Sequence, residues 1–268
     1  MATILFTAPL RTEYQSLFDS CQIHPAKARA VDKAVDALIA SKRRYKTVGG
    51  PLGIPWQMVA VVHNMEASQN FRCHLHNGDP LSARTRQIPK GRPRTGSPPF
   101  TWEYSASDAL SSDGLADWKD WSIPGLLYCL ERYNGWGYRK HHPSVKSPYL
   151  WSGSNHYRAG KYVADGTWSD SAVSKQLGAA TLLRRLAEKG ELDAQPHVSN
   201  DSLANEMARK AALFTYAPKK VTPGGVELQR FLNTFPGIFL REDGVLGPKT
   251  SAACEEIFGR YLKGDPRG

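Results

Sequence analysis

Residues 63–85, HNMEASQNFRCHLHNGDPLSART, place a glutamate, three histidines, an aspartate and a threonine within one short run. Hydrolysis of a glycosidic bond needs a proton donor at the leaving oxygen and a second carboxyl to stabilise positive charge or to activate water. Glu66 suits the donor role. Val62 one turn earlier and Met65 beside it predict an apolar setting that raises the carboxyl pKa. Asp79, in the polar turn HNGDPL, is expected to stay ionised and open to water, with the Thr85 hydroxyl holding that water. The plain alternative for Asp79 is a turn residue before proline. Glu103 and Asp165 stand in reserve as second carboxylates. His74 and His76 alternate and would share one face of a strand, with His63 three residues before Glu66. They match no HExxH or other metal-ligand spacing, so no metal and no cofactor is assigned. No GxSxG and no phosphate-cradling glycine loop occurs, which disfavours acyl and phosphoryl transfer.

Positioning these groups requires a core helix and a cleft wall. Val31, Val35, Leu38 and Ile39 predict an amphipathic helix over 25–44, ending in basic residues. From Ile54, the positions Met58, Val61, Val62 and Met65 predict a second helix that packs into the core, with Pro55 in its first turn. Residues 71–100 are rich in Gly, Pro and Arg and predict a loop or small β-hairpin, with RTRQIP as an extended piece. Helices are expected at TWEYSASDAL, capped by Thr101 or Ser105, and at IPGLLYCLERYNG, stopping at Asn134-Gly135. An aromatic loop over 136–170 precedes a long helix over 171–192, and SLANEMARKAALF predicts another. Rings such as Tyr133, Trp136, Tyr138 and Tyr149 would stack on the apolar faces of hexoses, with Tyr133 and Asn134 the foremost groove residues. Residues 216–225, YAPKKVTPGG, read as a linker, which sets domains at 1–217 and 218–268. The fold class is therefore mostly α, with a small β-hairpin and a small C-terminal helical module.

Bulk properties limit the partners. A chain of 268 residues with 41% hydrophobic content can bury a substantial core. No run of about 18 apolar residues predicts a membrane span. The start MATILFTAPLRTEYQ lacks the basic lead and apolar stretch of a secretory signal. Synthesis in the cytoplasm without a signal peptide is expected, with action elsewhere only after release or delivery. Four scattered cysteines without CxxC spacing read as reduced thiols. A formal charge of +10 favours an anionic partner, and residues 218–268 hold eight Lys/Arg against six Asp/Glu, so most of the excess lies before them. With no RNA-recognition or zinc-finger pattern, nucleic acid is not the expected partner.

The tail resembles the peptidoglycan-binding module that accompanies many cell-wall hydrolases, through Leu228-Gln229, Phe231-Leu232-Asn233, Asp243-Gly244, Gly247-Pro248 and Thr250. The Asp243-Gly244 turn needs positive φ, and Thr250 is expected to help cap the following helix. The larger part resembles the lysozyme superfamily. In that resemblance IPWQMVAVVHNMEAS is the core helix ending in the catalytic acid Glu66, and Asp79 and Thr85 are spaced as in phage-type lysozymes. RTRQIPKGRP would form the hairpin, ERYNGWGY is similar to the Tyr-Asn motif of goose-type lysozymes and lytic transglycosylases, and Gln176-Leu177-Gly178 lies on a late core helix. The interval from Glu66 to Asp79 is longer than in the phage-type enzymes.

The resemblance implies a monomeric, endolysin-like peptidoglycan hydrolase. It would cleave the β-1,4 bond between N-acetylmuramic acid and N-acetylglucosamine by general acid catalysis, with Glu66, Asp79 and Thr85 catalytic and Glu103, Tyr133, Asn134, Trp136 and Tyr138 binding substrate. Asp243, Gly244 and Thr250 would belong to the wall-binding module. The rivals are a chitinase or chitosanase of the same superfamily and a zinc-dependent wall amidase or peptidase. The charge balance predicts that binding to an acidic envelope weakens as salt rises, readable by pull-down on sacculi across a salt series.

Overall fold

The computed structural model describes residues 4–164, 166–192, 211–233, 235, 238 and 240–268. The chain is mostly helical, with 48% helix and 6% strand. Its described residues fall into two compact units, Leu17–Ala194 and one that joins Met1–Ser16 to Gln195–Gly268. The N-terminal segment thus groups with the C-terminal unit, a division different from a cut at 217/218, and Leu5 packs against that unit's core. No described helix is long and apolar enough to cross a membrane. All four cysteines are free thiols.

Helix α1 spans Ala8–Asp19. In the larger unit α2 (Pro25–Ala40) buries Val31, Val35 and Leu38, the positions the helical spacing selects. It ends at Ala40, and α3 (Lys42–Leu52) follows as a separate helix. Helix α4 (Trp56–Ala67) starts behind Pro55, where a missing N–H costs nothing, and is buried from Trp56 to His63 and again at Met65. It packs between α3 and α9 (Ala179–Glu188). α5 (Trp102–Ser112) is capped by Thr101, whose hydroxyl accepts the Tyr104 N–H, and rests on α3. α6 (Ile123–Asn134) stops at Gly135, whose φ of 89° only glycine adopts cheaply. Short helices α7 (Gly137–His141) and α8 (Pro148–Trp151) occupy the aromatic loop.

Two expectations fail here. RTRQIPKGRP forms no strand: Pro89 and Pro93 supply no N–H for a ladder, and the segment is instead closed by Thr85 N–H to Arg92 O (2.9 Å) and Gly91 N–H to Thr85 O (2.8 Å). The antiparallel pair lies later, β1 (Lys161–Ala164) against β2 (Thr167–Ser169), with Tyr162 opposite Trp168. Nor does a helix run from 171, because α9 begins only at Ala179. The preceding stretch passes hard against α8: Gly178 N–H bonds Ser152 O at 2.8 Å, and a Cβ on Gly178 would lie 2.3 Å from Leu150 O. Gln176 and Leu177 therefore lie outside the helix, and the Gln176 amide reaches Met65 O at 2.8 Å. Most of the helix expected at SLANEMARKAALF falls outside the described residues.

In the smaller unit α10 (Gly225–Leu232) and α11 (Pro248–Phe258) enclose a core of Leu228, Leu232, Leu246 and Ile257. Gly244 has the expected positive φ, 72°, and Asp243 accepts the Val245 N–H at 2.9 Å. Gln229 ties the turn down: its Oε1 accepts the Gly244 N–H (2.7 Å) and its amide reaches Asp243 (3.0 Å). Thr250 does not cap α11. Gly247 occupies the N-cap, and the buried Thr250 hydroxyl accepts from Gln229 at 3.3 Å instead.

Adding a Cβ at Gly178 forces the backbone of α8 to shift, so Gly178→Ala is expected to cost about 1–3 kcal/mol. The denaturation midpoint in urea checks this, and an unchanged midpoint would show that the passage is not tight.

Candidate active site

Glu66 sits in the last turn of α4, where the buried helix reaches the surface. The chain leaves at once by two successive left-handed residues, Ser68 (φ 48°) and Gln69 (φ 62°). Neither is glycine, so each costs of order 1 kcal/mol or more. The turn is held by Ser68 N–H to Asn64 O and Gln69 N–H to His63 O, while the Gln69 amide bonds Ala34 O and Asn64. Glu66 is thereby fixed at the floor of a cleft of about 590 Å³. The turn after α4 contributes His76 to this cleft, and the following loop contributes Pro89. Asp113, the C-cap of α5, enters with Leu115, and the last turn of α6 supplies Arg132, Tyr133 and Asn134.

The electrostatics separate the carboxyls. Burial pushes Glu66 up from 4.5 to about 6, against the hydroxyl of Tyr149, which donates to Oε1 at 3.0 Å, and with the help of the Asp113 charge. Asp113 is exposed as a residue, yet its carboxyl faces the cleft walls and is raised, chiefly by desolvation. A Tyr133 hydrogen bond and the charges of Arg132 and Arg92, joined by His76 when its ring is protonated, pull it back toward the ionised form. Glu66 has no such cationic company among its leading influences. The hydroxyls of Tyr133 and Tyr149 are raised well above their ordinary range by burial and remain neutral donors.

His76 is almost wholly buried, with Nε2 at 2.8 Å from Asp108, whose other oxygen meets Arg92 at 3.3 Å. A carboxylate only accepts, so Nε2 carries the proton and Nδ1 the lone pair. Burial lowers the His76 pKa against the bond and charge of Asp108, which favours the neutral ring. His76 Nδ1 and Arg132 Nη2 are buried without a hydrogen-bond partner among the described residues.

Of the residues singled out from sequence, Glu66, Tyr133 and Asn134 meet in this cleft. The others are engaged elsewhere. The Asp79 carboxylate accepts the N–H groups of Arg86 (2.7 Å) and Gln87 (3.0 Å) and the Asn77 amide (3.1 Å), and these bonds hold its pKa below the usual range. Buried Thr85 donates to Pro89 O and accepts the Arg92 N–H at 2.8 Å, which leaves its hydroxyl little capacity for a catalytic water. Glu103 pairs with Arg44 at 2.6 Å and is lowered by it. Trp136 is buried against Tyr128, and the Tyr138 ring packs on Tyr162 and Trp168. Asp165 lies outside the described residues.

The histidines are likewise dispersed. His63 is buried beside the Tyr45 hydroxyl (3.1 Å) and lowered to about 4 by desolvation, and His74 is bonded to Ser105 and Ala83 O, both at 2.7 Å. Among the described residues no three His, Cys, Asp or Glu side chains converge as a metal site would require. Sequence reasoning assigned neither Asp113 nor Arg132 to the cleft, weighed His76 only as a metal ligand, and offered Tyr149, which bonds Glu66, only as one of several groove aromatics. The Asp113-Gly114 pair signals only a turn, and nothing local links it to Glu66. Comparison of the chain with protein-family models, curated proteins and solved structures finds no match.

A carboxyl raised in the folded state adds stability only while protonated, so the Glu66 contribution is complete below pH 4.5 and is lost as pH rises through about 6. Glu66→Gln keeps an acceptor for Tyr149 without the buried charge. It is therefore expected to be more stable than the parent at pH 7.5 by about 1–2 kcal/mol, the gain vanishing near pH 4.5. Urea titrations of both proteins across this range check the sign. A variant less stable than the parent at pH 7.5 would contradict the desolvated carboxyl.

Proposed function

We propose that the chain is a peptidoglycan hydrolase that cleaves the β-1,4 bond between N-acetylmuramic acid and N-acetylglucosamine. The observation that carries this reading is Glu66: a carboxyl at the end of a buried helix, raised to about 6, on the floor of a cleft that also holds a second carboxyl in a different environment. Glu66 holds the proton and delivers it to the leaving glycosidic oxygen. Asp113, flanked by the charges of Arg132 and Arg92, is the carboxylate that faces the developing oxocarbenium ion or the incoming water. The role assigned from sequence to Asp79 thus passes to Asp113, because Asp79 lies outside the cleft lining and its Oδ2 is held by two backbone N–H groups. Tyr149 orients the acid, and Tyr133 bonds the second carboxyl. The Asp243-Gly244 turn and Gly247-Pro248 helix start of the smaller unit are features in which it resembles wall-binding modules.

Mass spectrometry of digested sacculi tests the reading. Glu66→Gln is expected to lower product release by about 10²–10⁴-fold, as removal of a general acid does. Asp113→Asn should also lose activity, while Glu103→Gln should retain it. Full product release by Glu66→Gln would remove the central assignment. The masses also distinguish a reducing end from the anhydro product of a lytic transglycosylase.

A further inference from the structure

Asp79 and Thr85 build something other than the catalytic pair. Their hydrogen bonds pin one loop, 84–94, RTRQIPKGRPR, at the edge of the cleft. Asp79 grips the ascending side through the N–H groups of Arg86 and Gln87. Thr85, 3% exposed, ties the base through Pro89 O and the Arg92 N–H. Pro89 at the tip is itself part of the cleft wall.

The loop carries five cations and no acid. Two are turned to structural use: Arg84 donates to Gly96 O and lies over the Phe100 ring, and Arg92 pairs with Asp108. The other three, Arg86, Lys90 and Arg94, are exposed and pair with no acid among the described residues. Beside them Ile88 is 90% exposed. An ordinary solvated basic loop can relax its charges apart. Here the backbone between Thr85 and Arg92 is held by a carboxylate and a buried hydroxyl with Pro89 in the cleft wall, so the three cations are carried on one short loop beside the cleft, where they would meet an anion lying along it.

We propose that Arg86, Lys90 and Arg94 form an anion-binding rim that holds carboxylates borne by the polymer strand beside the bond to be cut. This deepens the function proposed above by making the substrate an acidic polymer. It also gives Asp79 and Thr85 a positioning role: they fix the rim relative to Glu66.

The experiment is equilibrium binding of the full chain to sacculi, native or with their carboxyls amidated by carbodiimide, or stripped of phosphodiester polymer by acid. Three proteins are compared: the parent, R86Q/K90Q/R94Q, and the control K27Q/R29Q/K33Q, which removes equal charge from exposed positions of α2. The rim variant is expected to bind native sacculi about tenfold more weakly at low salt, as loss of three exposed charge contacts implies, with a shallower salt dependence. Amidation should bring the parent down to the level of the rim variant, and the control should stay near the parent. Equal losses in rim variant and control would reduce the effect to net charge and overturn the proposal. So would a parent insensitive to amidation but weakened by loss of the phosphodiester polymer. Arg86→Gln, which keeps the backbone N–H to Asp79, serves as a milder variant should the triple one fail to fold. Cutting is read separately by product mass. A parent that binds as described but releases no fragments fails the hydrolase reading and leaves the rim intact, whereas cutting without the carboxylate contrast fails only the rim.

Discussion

The site depends on one desolvated carboxyl. Glu66 is neither exposed, where it would titrate like any surface glutamate, nor paired with a cation, which would drive it to the ionised form. It sits where a helix buried on nearly all sides runs out, with the Tyr149 hydroxyl as its partner and apolar packing behind it. A neutral donor such as tyrosine orients the carboxyl without supplying the positive charge that would remove its proton. The cost of keeping a carboxyl there is borne by the packing of α4 against α3 and α9.

Glu66, Asp113, Asp79 and Glu103 show how environment rather than residue type sorts carboxyls. Glu66 and Asp113 are raised because the cleft walls exclude water. Asp79 and Glu103 are lowered, the first by backbone N–H groups and the second by Arg44. A lowered, anchored carboxylate makes a good staple and a poor acid. The same logic applies to the histidines: His74 is occupied on both nitrogens by Ser105 and Ala83, whereas His63, held by Tyr45, and His76, held by Asp108, each keep one nitrogen uncommitted, and of these two His76 lines the cleft. The residues that look most reactive in the 63–85 run therefore divide between chemistry and scaffolding. Scaffolding of the 84–94 loop places its charges at the rim.

What the sequence alone determined were features set within a turn or two of chain. The buried faces of α2 and α4 follow from apolar spacing, the start of α5 from the Thr101 cap, and the end of α6 from Asn134-Gly135. The apolar setting of Glu66 was legible for the same reason, since Val62 and Met65 lie on its own helix. The Asp243-Gly244 turn was legible because positive φ is a local demand.

Tertiary structure decided everything that needs a distant neighbour. Helical periodicity continues through 171–178, but Gly178 passes too close to Leu150 for a helix to begin before it. The arginine-rich segment alternates like a strand, yet its prolines and the grip of Asp79 and Thr85 make it a loop. Asp113 reaches the cleft only because α5 ends against the last turn of α6, where Tyr133 meets it. Whether a carboxyl holds its proton is set by how much water the fold removes and which charges it brings near. Both are sums over residues remote in the chain, so no local pattern carries them.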